Sequence, residues 1–400
     1  MAFLKVVPLE KALKIVDGFR ERLARREKEV VKLEEALGRV LAEDVVSPMD
    51  VPPFDRATVD GYAVRSRDTF MAGDGNPVEL RVIGEVNAGE TFKGELGEGT
   101  CVYISTGAPL PAGADAVIQF EDVEREGDVV RIYRPVYPGL GVMKRGSDLA
   151  KGELILRKGK RLTFKDTALL SAVGMSEVSV LRKLRVAVVS TGNEVVLPGE
   201  KLAEGGIYDV NGRAVSDAVR SAGEEAVFLG VARDSLEEIE EAIRKGAECC
   251  DVVILSGGAS GGTRDLTAKA VSKLGRVLVH GIAIQPGKPT IIGEVNGKPV
   301  LGLPGYPTSC LTNFTLLVMP LLSGDIRRGR VRKRLAHKVF SVKGRRQFLP
   351  VRIDGDKAIP ILKGSGAVTS FVSADGFIEI PENVEILDEG EEVEVTVFGT

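Results

Sequence analysis

Three different patterns of hydrophobic and polar residues follow one another along the chain. In residues 8–23, apolar side chains recur every three or four positions, which predicts an amphipathic helix. A shorter helix is predicted over residues 33–41. The charged run at residues 20–32, RERLARREKEVVK, is interpreted as a solvated helical face, and an RNA-binding arm is the weaker alternative.

Residues 52–137 have a second pattern, in which short β-branched runs are separated by glycine and proline. The runs VELRVIGEV, GTCVYIS, ADAVIQF and DVVRIYR predict strands of a β-rich module. A helix over 164–173 and a strand over 178–181 follow. We expect these two elements to pack with the N-terminal helices, so that the β-rich module is an insertion into a discontinuous helical and β linker domain.

The third pattern begins at residue 184, where strands alternate with helices of 10 to 15 residues. This alternation predicts a three-layer α/β domain with a largely parallel sheet. Short alternating strands after residue 335 predict a small, barrel-like β domain. The predicted fold class is thus a multidomain α/β plus β protein. Its predicted domains are residues 1–46 with 145–182, 47–144, 183–326 and 327–400.

The composition narrows the range of functions. The chain has 400 residues, 44% hydrophobic and 28% charged, with a net charge of −3, which argues against bulk nucleic-acid binding. No signal peptide or membrane-spanning run is recognised, so no membrane partner is expected. Four cysteines without a CxxC pair and only two histidines argue against a zinc site or disulfides and favour the cytoplasm. Scarce Asn and Gln and the absence of Trp favour a thermophilic source.

One glycine-rich segment stands out within the α/β pattern. Residues 251–274 read as a buried strand, a turn containing Gly257 and Gly258, and a helix whose first turn holds Asp265. Ligands of open α/β sheets bind beyond the carboxyl ends of the strands, where this turn would lie. The alternative is a tight turn whose acid merely favours the helix dipole.

Carboxylates follow three of the predicted strands. Glu194, Asp234 and Asp265 each lie in a polar loop after a strand. Because parallel strands deliver their carboxyl ends to one edge, the three acids can converge although a βαβ repeat separates them. Convergent carboxylates suit a hard divalent cation, and Mg²⁺ is the cation that we expect. Each acid alone is equally consistent with a solvated loop.

A second polar cluster comes later in the same domain. The segments PGKP and LPGYPTS contain Lys288, Ser309 and the rigid residues Pro304 and Pro307. Lys288 can attract an oxyanion, although prolines here can also simply begin a helix. Neither a Walker A loop nor a GxGxxG fingerprint is present. We interpret the cluster as a stiff wall of the same pocket.

The β-rich module and the segment after it hold further polar positions. PPFDRATVDGYAVR contains Asp60, STGAPLPAGAD contains Thr106, and KRGSDL contains Asp148. Functional residues concentrate in ordered irregular segments of this kind. Turn chemistry alone is the alternative explanation for the first two.

Together these segments resemble one known family. PPFDRATVDGYAVR, STGAPLPAGADAV, KRGSDL, VSTGNEV, YDVNGRAV, LSGGASGGTRD, QPGKP and LPGYPTS occur in the order seen in molybdopterin molybdenumtransferases. That family includes the E domain of gephyrin and its plant counterpart, and the resemblance covers essentially the whole chain. It implies an enzyme of molybdenum cofactor biosynthesis that inserts molybdate into adenylylated molybdopterin and releases AMP with the help of Mg²⁺.

The resemblance also implies roles for individual residues. The implied catalytic residues are Asp60, Thr106, Asp148, Glu194, Asp234 and Asp265, the last three at the metal and nucleotide end. The implied cofactor-binding residues are Gly257, Gly258, Asn211, Lys288, Pro304, Pro307, Ser309, Arg345 and Ser370. Of these, Lys288, Ser309, Arg345 and Ser370 resemble the oxyanion site. The implied partners are a second copy of the chain, sharing the cleft, and an upstream molybdopterin adenylyltransferase.

The chain departs from the family pattern at three places. Gln285 stands where relatives often have Lys, Tyr306 where Asn is frequent, and residues 56–58 read Arg-Ala-Thr in place of Asn-Ser-Ala. The loss of a positive charge at residue 285 leaves open whether molybdate or tungstate is the oxyanion. Two other functions remain as alternatives, namely a scaffold of the gephyrin type and a molybdopterin adenylyltransferase.

Overall fold

The computed structural model describes residues 6–257, 265–323, 329–364 and 366–398, and the chain forms two compact units. Unit 1 comprises Met1–Glu27 and Arg182–Thr400, and unit 2 comprises Lys28–Leu181. Unit 1 resumes at Arg182 and also includes the N-terminal helix, whereas residues 145–181 lie in unit 2. The four predicted domains stay a prediction.

The N-terminal helix α1 (Leu9–Leu23) has the predicted amphipathic character. Leu9, Ala12, Val16 and Phe19 are buried and join a core that contains strand residues of the α/β sheet, such as Val186 and Ile254. Burying this apolar face stabilises a helix that would be marginal alone. The helix is therefore part of the α/β layer structure.

The predicted second helix, over residues 33–41, is wrong. Lys28–Lys32 is a strand that pairs antiparallel with Glu177–Leu181, and only a single 3₁₀ turn, Leu33–Glu35, follows. Val30 and Val31 are β-branched and point to opposite sides of the strand, one exposed and one buried. Pairing with a distant strand overrides the helical charge pattern of this segment.

Unit 2 contains twelve strands and one α-helix among its described residues. These are β1 (Lys28–Lys32), β2 (Val45–Val46), β3 (Arg56–Ala57), β4 (Gly61–Val64), β5 (Val78–Val86), β6 (Thr100–Ile104), β7 (Ala116–Gln119), β8 (Val123–Glu126), β9 (Val129–Ile132), β10 (Val142–Met143), β11 (Leu154–Leu156), α2 (Phe164–Ala172) and β12 (Glu177–Leu181). The four strands predicted in the β-rich module are all present, as β5, β6, β7 and β9.

The two ends of unit 2 share a core that is separate from the β-rich part. Val31 and Leu41 from the beginning of the unit pack with Leu156, Leu170 and Val180 from its end. The intervening strands form a six-stranded sheet in the order β7-β4-β6-β5-β9-β8 with cores of their own. This is the arrangement of an insertion, as the sequence pattern indicates.

Unit 1 continues after residue 182 with an α/β part and a terminal β part. Its further elements are β13 (Arg185–Thr191), β14 (Val195–Val196), β15 (Ile207–Tyr208), α3 (Asn211–Ser221), β16 (Glu225–Ala232), α4 (Leu236–Cys249), β17 (Val252–Ser256), α5 (Leu266–Leu274), β18 (Arg276–His280), β19 (Ile284–Gln285), β20 (Ile291–Val295), β21 (Lys298–Leu303), α6 (Pro307–Asn313), a π-helical turn (Phe314–Val318), α7 (Met319–Ser323), β22 (Arg330–Leu335), β23 (Val339–Phe340), β24 (Arg346–Asp354), β25 (Lys357–Pro360), α8 (Val368–Val372), β26 (Gly376–Ile380), β27 (Ile386–Leu387) and β28 (Glu392–Val397).

The α/β part is the predicted three-layer domain. Its sheet has the order β16-β13-β17-β21-β20-β18, with β16, β13, β17 and β21 parallel and β20 antiparallel to its neighbours. Alternate residues of one strand face opposite layers. In β17, Ile254 packs with residues of α1 and α3, whereas Leu255 packs with Ile239 and Ile243 of α4. Both faces are covered, so the central strand β17 is apolar up to its last residue, Ser256.

The C-terminal strands close into a small barrel. Five strands follow one another in the order β24-β25-β22-β28-β26, and β26 also pairs with β24. This closure confirms the predicted barrel-like domain and removes exposed strand edges from these five strands. Among the described residues, no helix is both long enough and apolar enough to cross a lipid bilayer.

An ion cluster fastens α1 to the sheet. Glu294 of β20, whose side chain is only 8% exposed, accepts a hydrogen bond of 2.6 Å from Arg22 and another from Arg276. These guanidinium hydrogen bonds, from Arg276 first and Arg22 second, lower the pKa of the Glu294 carboxyl. A carboxyl whose pKa is lowered by folding stabilises the fold above its ordinary pKa, and the stabilisation disappears as the pH falls through the lowered value.

We expect Glu294→Gln to lower the free energy of unfolding by about 1 to 2 kcal/mol at pH 7, because a charged hydrogen-bond acceptor is lost. The difference from the wild type should vanish in acid, below the lowered pKa, where the native carboxyl is also neutral. Unfolding curves at both pH values and amide exchange in α1 measure this. An unchanged difference at both pH values would show that charge is not involved.

Candidate active site

A cavity of about 1090 Å³ opens at the carboxyl ends of the parallel strands in unit 1. The described residues that line it are Ser190, Thr191, Gly192, Asn193, Glu194, Val195, Ile207, Tyr208, Asp209, Val210, Asn211, Asp234, Ser256, Gly257, Leu266, Pro289, Pro304, Gly305, Tyr306, Pro307, Gly366 and Val368. Most of them come from the ends of β13, β16, β17 and β21 and the loops that follow, from β14 and β15, and from the beginnings of α3, α6 and α8. The position is the one expected for a ligand of an open α/β sheet.

Two of the three predicted acids lie on this cavity. Glu194 and Asp234 are exposed and line it, and Asn193 Oδ1 accepts a hydrogen bond of 3.1 Å from the Asp234 backbone N–H. This contact joins the loop after β13 to the loop after β16. Of the described lining residues, none is Lys, Arg or His, so the two carboxylates face a cavity without a cationic side chain from that set.

The third predicted acid has a different environment. Asp265 is 4% exposed; its Oδ1 accepts from the backbone N–H of Ala268 at 3.0 Å and caps α5, and its Oδ2 lies 2.8 Å from His280 Nε2. Burial raises the pKa of the Asp265 carboxyl, although both contacts act in the opposite direction. Within the described residues no group of three His, Cys, Asp or Glu is placed to hold a metal ion. The predicted trio is thus not assembled in this part of the chain.

The structure describes only the first residue, Gly257, of the glycine turn after β17. Gly257 has φ +99°, and a Cβ built on it would lie 2.5 Å from the carbonyl oxygen of Thr191. Only glycine allows this close crossing of two strand ends. Gly258 and the rest of the turn up to Arg264 lie outside the described residues, so the predicted role of Gly258 stays a prediction.

The floor of the cavity is polar and buried. Asn211, the first residue of α3, donates from Nδ2 to the Gly305 carbonyl at 2.7 Å, while its Oδ1 is buried without a hydrogen-bond partner. Ser190 Oγ is likewise buried and unpartnered. Asp209 accepts from the Gly212 N–H at 2.9 Å and caps the same helix. The two unpartnered atoms are unusual, because buried polar groups normally have a hydrogen-bond partner.

The predicted oxyanion residues lie outside the cavity lining. Ser309 and Ser370 are buried, at 4% and 1% exposure, with Ser370 Oγ unpartnered; Lys288 is partly exposed and Arg345 exposed. Residues close to three of them do line the cavity, namely Pro289, Pro307 and Val368, and of these Pro307 was itself predicted. The structure therefore brings Pro304 and Pro307 to the cavity, whereas none of the four oxyanion candidates is among the described residues that line it.

Unit 2 brings its own predicted residues together in part. Asp60 Oδ1 accepts a hydrogen bond of 2.7 Å from the backbone N–H of Thr106, and both residues are exposed. Asp148 is also exposed, and its N–H donates to the Val51 carbonyl at 3.1 Å. The irregular segments around residues 55 and 106 therefore meet at a single polar surface.

A pair of ion contacts fixes the same part of unit 2. Lys144 Nζ donates to Asp55 at 2.8 Å, and Arg145 Nε donates to Asp50 at 2.7 Å. The hydrogen bond from Lys144 is the main cause of the lowered pKa of Asp55. These contacts hold the KRGSDL segment against the PPFD segment. In the sequence, the two segments are far apart.

Comparison with known proteins finds related families along most of the chain. Residues 7–174 match the MoeA N-terminal region (domain I and II), 187–324 a probable molybdopterin binding domain, and 332–398 the MoeA C-terminal region (domain IV). Molybdopterin molybdenumtransferase 2 of Mycobacterium tuberculosis is 35% identical, covering 91% of this chain and 94% of that one. The chain belongs to the molybdopterin molybdenumtransferase family.

Other members of the family agree over the same length. The Bacillus subtilis molybdopterin molybdenumtransferase is 33% identical, covering 98% of this chain and 94% of its own. A crystal structure of a molybdopterin biosynthesis protein from Pyrococcus horikosii is 62% identical, with a TM-score of 0.88 over 99% of this chain and 100% of that one. The family resemblance inferred from the ordered motifs is confirmed.

Several lining residues of this family member were not singled out from the sequence. Asn193, Ser190 and Asp209 carry the loop contact and the buried floor, and Asn193 lies directly beside the predicted Glu194. Their common signal is position, because Ser190 lies near the end of β13, Asn193 follows that strand and Asp209 follows β15. A polar residue at such a strand end is therefore a good candidate for the site, even when its side-chain type alone does not suggest a function.

Proposed function

We propose that this protein inserts molybdate, or tungstate, into adenylylated molybdopterin and releases AMP in a reaction that needs a divalent cation, Mg²⁺. The observation that carries the proposal is the cavity of unit 1, which combines two unpaired carboxylates with a polar, partly unsatisfied floor. A molybdenumtransferase needs such a site at the phosphate end of its substrate. The names of the matched relatives support the same class of reaction.

Glu194 and Asp234 are the residues that would hold the cation. Neither carboxylate makes a hydrogen bond or ion pair with the part of the chain that the structure describes. Mg²⁺ is commonly bound by one or two carboxylates together with substrate phosphate oxygens and water. The bound cation would neutralise charge on the pyrophosphate. Asp265 acts differently in this proposal, since its capping and histidine contacts fix the beginning of α5 beside the glycine turn.

Lys288, Ser309, Arg345 and Ser370 remain the candidates for the oxyanion. Lys288 and Arg345 supply positive charge, and the two serine hydroxyls supply hydrogen bonds, the combination that a dianion such as molybdate requires. Asp60, Thr106 and Asp148 are proposed to contribute from unit 2. The proposed assembly is a homodimer in the cytoplasm that receives its substrate from a molybdopterin adenylyltransferase.

The experiment is an AMP-release assay on the purified full-length protein. Adenylylated molybdopterin is incubated with Mg²⁺ and with molybdate, tungstate or neither, and AMP is quantified by chromatography. We expect AMP only when the cation is present, with the faster oxyanion identifying the physiological one. ATP consumption without need for adenylylated substrate would instead show an adenylyltransferase. Absence of any AMP, with binding only to a receptor-like protein, would show a scaffold.

Mixed dimers test the partner assignment. Asp60→Ala and Glu194→Gln subunits are prepared separately, exchanged and assayed together. If the two residues act in the same catalytic centre from different subunits, the mixture should regain activity that neither variant has. An ultracentrifugation profile of monomer alone would contradict the homodimer.

A further inference from the structure

Tyr306 is a large aromatic residue at the beginning of a helix, where other residues would stabilise the helix better. It is the N-cap of α6, with φ −72° and ψ 131°, and its side chain makes no capping hydrogen bond. Asn, Asp and Ser are preferred at this position because their side chains accept from the first free backbone N–H groups. Tyrosine cannot do so, which indicates that the ring has another role.

The ring of Tyr306 lies at the cavity and is not covered. The residue lines the cavity and is 65% exposed. Gly366 lies beside it, so that a Cβ on Gly366 would come within 3.5 Å of Cδ1 and 3.6 Å of Cε1. Because residue 366 has no side chain, this edge of the ring is not covered from that position. Ile207 and Val368, also exposed apolar residues, line the same cavity.

The lining also offers polar groups that a ligand can reach, because Asn193 is exposed on the same cavity. A planar heteroaromatic ring with polar edge atoms fits this combination, because its face is apolar and its edge donates and accepts hydrogen bonds. Phosphate or a metal ion would satisfy neither the apolar wall nor the aromatic ring.

We propose that Tyr306 is the stacking surface for a planar heteroaromatic ring of the substrate. The proposal rests on the proposed function, since adenylylated molybdopterin carries two such rings, adenine and pterin. The shared chemistry is a flat, polar-edged ring, and the two rings are distinguished by separate probes. Stacking of a base on an aromatic side chain needs the flat face of the ring and no particular hydrogen bond. Phenylalanine at position 306 should therefore preserve binding, whereas asparagine should not.

The test is calorimetric titration of the full-length protein with AMP and, separately, with pterin-6-carboxylate. Tyr306→Asn should weaken binding of one probe about 10-fold, as expected for loss of one stacked ring, whereas Tyr306→Phe should bind like the wild type. Tyr306→Asn should also keep or raise the midpoint of thermal unfolding, because Asn caps α6. A loss of affinity without loss of stability separates stacking from misfolding.

Phe340→Asn is the matched control, because Phe340 is 71% exposed but does not line the cavity. Selective loss of AMP affinity identifies adenine as the stacked ring, and selective loss of pterin affinity identifies pterin. If the wild type binds the probes and Tyr306→Asn binds both of them equally well, the stacking proposal is overturned, but the proposed site is not. A wild-type protein that binds neither probe overturns it together with the proposed site.

Discussion

Glu194→Gln or Asp234→Asn is expected to lower the rate of AMP release by about 100-fold or more, because the cation would lose one of two protein carboxylates. Both substitutions preserve side-chain shape and remove only the charge. Both native side chains are exposed on the cavity, so the fold should be unaffected. The effect should therefore appear in activity and not in stability.

The measurement is the rate of AMP release as a function of Mg²⁺ concentration. For each single variant we expect a higher half-saturating Mg²⁺ concentration as well as a lower maximal rate. Glu248→Gln, in an exposed position at the end of α4, is the matched control and should behave as the wild type. Wild-type rates and wild-type Mg²⁺ dependence in both cavity variants would refute the cation assignment.

Gly257→Ala is expected to lower the free energy of unfolding of unit 1 by about 3 kcal/mol and to abolish most activity. The added Cβ would lie 2.5 Å from the Thr191 carbonyl oxygen and 2.7 Å from its Oγ1, at a backbone φ of +99°. Left-handed strain and overpacking each cost about 1 to 3 kcal/mol. The ends of β13 and β17 would separate at the cavity.

Gly305→Ala is the control for that substitution. Gly305 lines the same cavity, but a Cβ there would meet its nearest neighbour, the Gly257 Cα, at an ordinary 3.5 Å. Chemical denaturation and AMP release of the two variants are compared under the same conditions. Equal stability of the two proteins would show that the strand crossing at Gly257 is not the constraint that the geometry implies.

Strand and helix periodicity predicted the elements that position the cavity. The run at Val252–Ser256 is buried throughout and covered on both faces, and the amphipathic helix Leu236–Cys249 packs where its pattern indicates. The rule that ligands bind beyond the carboxyl ends of parallel strands pointed to this edge, and Glu194, Asp234 and Gly257 line one cavity there. These inferences depend on local spacing, which a single sequence displays.

Other features depended on pairing across long sequence separations. The segment at residues 28–32 has helical charge spacing, yet it pairs with Glu177–Leu181 as a strand. Asp265 has the same sequence signature as Glu194, but it is buried, contacts His280 15 residues later and is not among the described residues that line the cavity. Side-chain partners of this kind are set by tertiary packing, and no periodicity of one segment encodes them.

The most direct test of the account is a crystal structure of the full-length protein with Mn²⁺ in place of Mg²⁺ and with AMP, the proposed product. The anomalous signal of Mn²⁺ distinguishes the cation from water and lighter ions. We predict a peak between Glu194 and Asp234, with the phosphate of AMP beside it in the cavity of unit 1. A Mn²⁺ peak bound by other residues, with this cavity empty of nucleotide, would contradict the account.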